Sequence, residues 1–208
     1  MKKLFSAVII ISLASFKGSD PDIYRKQIAS HFKDWFAYNR NYYPGFSMNY
    51  FTKKAVKPYS YEFDYPYKGF VTDSINSKMY FWSPDSSQYL DIYSYAYQFV
   101  TDSGRVGNLG GEPECAVFLN APKEQKGYRV TFDGTNGNFE DAAWFSNTCF
   151  AVAGSEISFV NFDSIYNYIE VFDVGRKITT TYRGALYPFN KHRKDFVMEK
   201  AERILLDK

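Results

Sequence analysis

Residues 81–94, FWSPDSSQYLDIYS, decide how the chain is read. An aromatic pair runs into Ser83-Pro84-Asp85-Ser86, and an apolar run departs on the far side. Proline presets the backbone for a turn, and the neighbouring serine and aspartate side chains satisfy its exposed amides. This is a tight hairpin, with strands predicted over residues 79–83 and 88–100. With period two, Leu90, Ile92, Ser94 and Ala96 share one face of the second strand. Asp91, Tyr93, Tyr95, Tyr97 and Phe99 share the other.

Working outwards, further strands are predicted at 114–120 and 127–132, and hairpins at 142–146 with 149–153 and at 169–174 with 177–183. Upstream, YSYEFDYPY alternates Tyr59, Tyr61, Phe63, Tyr65 and Tyr67 with polar residues and Pro66, as a half-buried strand near a sheet edge does. The glycines of SGRVGNLGGEP (residues 103–113) are irregularly spaced and do not stand between a strand and a helix. They read as a connection and not as a phosphate loop. Helices are predicted at both ends. Over 20–38, Ile28, Phe32, Trp35 and Phe36 fall on one face behind Pro21; over 191–206, Phe196, Val197, Ala201, Ile204 and Leu205 form an apolar stripe.

The strand region repeats itself. MYFWSPDSSQYLDIYS answers to AAWFSNTCFAVAGS, and ECAVFLNAPKEQKGYRVTFDG answers to YIEVFDVGRKITTTYRG. Each unit holds four short antiparallel strands, the composition of a propeller blade. The Trp82-Ser83-Pro84-Asp85 turn and the Val171-Phe172-Asp173-Val174 strand resemble the WD40-like blades of TolB-type β-propellers across residues 79–184. That resemblance implies an exported bacterial protein and carries no catalytic residue with it. Two units cannot close a ring of four to eight blades. The expectation is a mainly β fold: two blade-like four-stranded antiparallel sheets, as a partial propeller or a sandwich, in one domain over 20–208 with the helices covering exposed sides.

Composition narrows the function classes. Tyrosine and phenylalanine bring the aromatic fraction of the 208 residues to 20%, and net charge is only +2. Near neutrality argues against a nucleic-acid partner. Lys2 and Lys3, the apolar run 4–13 and the small residues Ser12-Leu13-Ala14 form a signal peptide over residues 1–14, so export to the periplasm or beyond is expected, with no membrane span in the mature form. Cys115 and Cys149 are the only cysteines. In an exported chain they permit one disulfide, and in apolar strands they equally suit buried free thiols.

Candidate sites are few. His31 and His192, the only histidines, lie in the terminal helices amid charges, so neither a Ser-His-Asp nor a Cys-His arrangement nor zinc-ligand spacing is present, and no cofactor is implied. Asp133, Asn136, Asn138 and Glu140 supply oxygen atoms around a loop whose spacing departs from calcium-binding loops; a plain connecting turn is the competing reading. Tyr93, Tyr95 and Tyr97 would form a flat amphipathic platform if their strand face is open, and would fill a sheet-to-helix interface if it is not. These readings point to an exported, non-catalytic binding or scaffold module for a protein or glycan of the cell envelope. The alternative is a glycan-acting hydrolase or an inhibitor of an envelope enzyme.

Overall fold

The computed structural model describes residues 21–60, 63–65 and 75–206. The expected signal peptide lies outside them, as do residues 61, 62, 66 and 67 of the expected 59–67 strand. Among the described residues, three helices, α1 (Pro21–His31), α2 (Lys33–Arg40) and α3 (Phe196–Leu205), accompany twelve strands. The strands are β1 (Thr52–Pro58), β2 (Phe63–Tyr65), β3 (Phe81–Trp82), β4 (Tyr89–Asp91), β5 (Phe99–Asp102), β6 (Arg105–Asn108), β7 (Cys115–Ala121), β8 (Lys126–Asp133), β9 (Gly137–Ser146), β10 (Cys149–Ile157), β11 (Ser164–Asp173) and β12 (Ile178–Pro188). Two antiparallel sheets result, ordered β2-β8-β7-β4-β3 and β1-β12-β11-β10-β9, with β5-β6 as a separate hairpin. The protein is therefore mainly β with terminal helices.

The two repeat units correspond to the two sheets. Each sheet is a four-stranded meander, β3-β4-β7-β8 or β9-β10-β11-β12, extended at its last strand by a fifth strand from upstream. The turns of the two leading hairpins also touch, the Asp85 backbone N–H donating to Asn147 Oδ1 at 3.2 Å. In the Pro84 turn Asp85 Oδ1 accepts from the Ser87 amide and from the Ser83 and Ser87 hydroxyls, and Ser86 takes a left-handed φ of 55°. Trp82, expected to pack, is half-exposed against Tyr89; the buried tryptophans are Trp35 and Trp144.

Burial on both faces explains the continuous apolar run CFAVAG of β10. Cys149, Ala151 and Ala153 meet Ile28, Phe32, Trp35 and Phe36 of the N-terminal helical segment. Phe150 and Val152 face the other sheet, where they join Leu90, Val117, Leu119 and Val130, with Val197, Ala201 and Leu205 of α3 closing the same core. The layers are thus helices, sheet, sheet. Cys115 and Cys149 belong to different cores on opposite sides of a sheet and are both free and buried. They form no disulfide, and burial pushes each thiol up to about 12.

Several boundaries differ from the sequence expectation for local reasons. The long strand 88–100 ends at Asp91, whose Oδ1 accepts from the amides of Tyr93 and Ser94, bending the chain into a turn closed by Tyr97 N–H on Tyr93 C=O at 2.8 Å. The glycine-rich stretch supplies the turn and second strand of the β5-β6 hairpin, because Ser103 and Gly104 both adopt positive φ, as a two-residue hairpin turn requires. The first predicted helix is interrupted at Phe32. The last begins only at Phe196, after Asp195 caps it by accepting from the Val197 and Met198 amides.

Candidate functional site

Where the two sheets part beside β8, a cleft of about 190 Å³ opens, lined by Asp133, Glu156, Tyr168, Glu170, Thr181 and Arg183, with Thr131, Phe132 and Phe139 completing its wall. Register assembles it. Glu170 pairs with Thr181, Tyr168 with Arg183, and Glu156 lies opposite Tyr166, so the polar side chains of three adjacent strands point the same way. Gly154 lies opposite Tyr168, and a Cβ there would stand 2.3 Å from Asn138 O and 2.8 Å from the Tyr168 ring. Its bareness lets the phenol cross β10 and donate to Asp133 Oδ2 at 3.2 Å. Thr181 donates to Glu170 Oε1 at 3.1 Å. Arg183 binds Glu156 at 2.9 Å and lies 4.9 Å above the Tyr166 ring.

Burial raises the carboxyls of Asp133 and Glu170 above the usual range. Hydrogen bonds from Tyr168 and Thr181, and the nearby Arg183 charge, partly oppose it. Burial likewise drives the Tyr168 phenol well above its ordinary value, the negative field of Asp133 adding to the effect. The cleft therefore offers two acids biased toward the neutral form, one guanidinium and three aromatic rings. Such a surface can exchange hydrogen bonds of both polarities, with the half-buried Phe132 ring as its apolar contact, since Phe139 and Tyr168 are buried.

A second hollow of about 320 Å³ adjoins the first through Glu156 and is lined by Asn136, Asn138, Glu140, Ser155, Arg193 and Asp195, among others. Glu140 is its fixed point. The carboxylate accepts from Trp35 Nε1 and Ser155 Oγ at 2.7 Å each and from Arg193 at 2.7 and 2.9 Å. A register shift opposite Ala153 and Gly154 inserts an extra residue here. As a result Phe139 and Ala142 share the inner core while Glu140 and Asp141, between them, take Arg193 and Lys200 as partners.

The residues singled out in the sequence do not converge. Asp133 lines the first hollow, whereas Asn136, Asn138 and Glu140 line the second; among the described residues no three His, Cys, Asp or Glu side chains cluster in a manner that would hold a metal ion. Tyr93 and Tyr97 are buried: Tyr93 donates to Glu140 C=O at 2.8 Å, and Tyr97 donates to Asp195 at 3.1 Å while accepting from Asn138 at 3.0 Å. Tyr95 points elsewhere, toward Phe118 and Phe132. With the strand broken at Asp91 the three rings make no common platform. His31 packs by Phe145 and His192 is exposed. Tyr168, Glu170 and Arg183 were missed by sequence reasoning. Their signal is the polar residue at every second position, Glu170 and Thr179, Thr181, Arg183, inside strands otherwise read as buried.

The chain matches no protein-family model, no curated protein and no solved structure.

Proposed function

We propose that the protein is an exported, non-catalytic binding module whose cleft between the sheets holds a hydroxylated ligand, a segment of an envelope glycan. One observation carries this reading: Asp133, Glu170 and Arg183 converge with Tyr168, Phe132 and Phe139 in one concave wall. Acceptors and donors beside an accessible ring, here Phe132, are what a sugar uses. Titration of the full chain with soluble glycan oligosaccharides should show saturable binding, weakened at least tenfold by Arg183→Ala and by Glu170→Ala with the thermal melt little changed. Binding that ignores both substitutions would overturn the assignment to this cleft.

The hydrolase reading keeps one specific support, the two carboxyls raised by burial in a single cleft, because glycan hydrolysis needs one acid that stays protonated near neutrality. The same oligosaccharides, incubated to long times, separate the two readings. Release of new reducing ends that disappears in both Asp133→Asn and Glu170→Gln would replace the binding module with an enzyme.

A further inference from the structure

The loop between β10 and β11 is built against ordinary surface logic. Phe159, Val160 and Phe162 are 65%, 93% and 69% exposed at its tip. Nothing about the loop is loose: the buried Ser158 hydroxyl accepts from the Val160 and Asn161 amides, Ser158 N–H donates to Ser164 C=O at 2.9 Å, and Asn161 C=O and Oδ1 accept from Ser164 and Asp163. The hydrogen bond from Phe189 N–H to Asp163 C=O ties the end of β12 to this tip and brings Phe189, 52% exposed, beside it, with Leu186 two residues before the Ser164–Pro188 pair. Large apolar side chains grouped this way mark an interaction surface.

Shape and charge select the occupant. Val160 stands almost fully in solvent, and the loop beyond the Ile157–Ile165 pair reaches about 10 Å at most, taking about 3.3 Å per residue. That matches the depth of about 5–10 Å to which amphipathic elements enter a bilayer interface. Directly behind Phe189 come the exposed Lys191 and Lys194; the exposed acids nearby are Asp163 in the loop, Glu199, and Asp195, whose carboxylate is taken up by the α3 amides and the Tyr97 hydroxyl. The Lys194 ammonium makes a long, solvent-exposed contact of 3.6 Å to Glu199. Tyr187 and the exposed Tyr50 stand at the same end of the sheet, at the level where amphipathic rings favour a headgroup layer. An apolar tip, two tyrosines behind it and the exposed Lys191 and Lys194 complement an anionic lipid surface.

We infer that the β10-β11 loop docks the protein peripherally on anionic membranes, Phe159, Val160 and Phe162 entering the interface and Lys191 and Lys194 meeting lipid headgroups. The test uses the full chain carrying Val160→Cys with an environment-sensitive thiol label, since the apolar run at residues 4–13 makes bulk sedimentation ambiguous. Cys115 and Cys149 are buried, with thiols pushed up to about 12, and leave Val160→Cys as the reactive site. Vesicles of phosphatidylcholine with about a third phosphatidylglycerol should shift the label emission to the blue, with at least tenfold weaker partitioning for Lys191→Glu/Lys194→Glu and no saturable shift when Phe159→Ser/Phe162→Ser is added. Three results would overturn the inference: no shift with these vesicles, equal partitioning into uncharged vesicles, or a blue shift that grows with protein concentration without lipid, which would assign the loop to contact between chains.

Discussion

Glu140 is 1% exposed, and its charge is balanced by a guanidinium on a segment 53 residues away in sequence. Taking a carboxylate out of water is costly, so the site is tolerable only because Trp35, Ser155 and Arg193 together satisfy both oxygens. Removing one partner leaves the other charge buried alone. Glu140→Ala should therefore lose about 3–5 kcal/mol of stability, whereas Glu140→Leu/Arg193→Met, which removes both charges, should recover most of it. Urea unfolding followed by tryptophan fluorescence measures both, and a single-variant loss under about 1 kcal/mol would show that the pair is solvated. Sequence marked this residue only as an oxygen donor of a loop, not as a buried ion-pair partner. Glu140 and Asp141 read as loop acids after DGTNGNF, and only the inserted residue in β9 turns them inward.

Among the elements, α3 depends on its first turn. Asp195 closes the helix N-terminus through the Val197 and Met198 amides and also receives the Tyr97 hydroxyl, so one carboxylate joins the C-terminal helix to the turn after β4. Asp195→Ala should cost about 1 kcal/mol for the cap, while Asp195→Asn, which keeps an accepting oxygen, should cost a fraction of that. Thermal melts of the two variants make the comparison, and equal losses would refute the capping role. Elements with strong local chemistry were legible in the sequence: the Pro84 hairpin, the antiparallel strands of the two sheets and the aromatic face of the N-terminal helix. β1 was not, because TKKAVKP is an edge strand exposed on nearly every residue and shows no alternation. β5-β6 was masked by glycines. The cleft was illegible for a different reason, since Asp133, Glu156, Glu170 and Arg183 come from four strands that only register brings together.

Across the whole molecule, burial favours the protonated form of Asp91, Asp133, Asp141 and Glu170, and this sets the pH response. In the unfolded chain these groups titrate near pH 4. Between that pH and their raised native values, the folded state binds more protons, so their contribution to stability is complete below about pH 4 and is lost as pH rises through the native values. Urea midpoints measured from pH 4 to 8 should fall more steeply with pH for the parent chain than for Glu170→Gln; parallel curves would refute the assignment for Glu170. The sheet order carries a consequence for synthesis. β1 emerges first of the described strands but among them pairs only with β12, about 120 residues later. At roughly 5–20 residues per second it waits about 6–24 s for its partner. Lys53, Lys54 and Lys57, a bulge at Lys54 and Pro58 make it a poor template for any other strand in that interval. The feature that hid β1 from a reader of the sequence also hides it from the wrong neighbours on the ribosome.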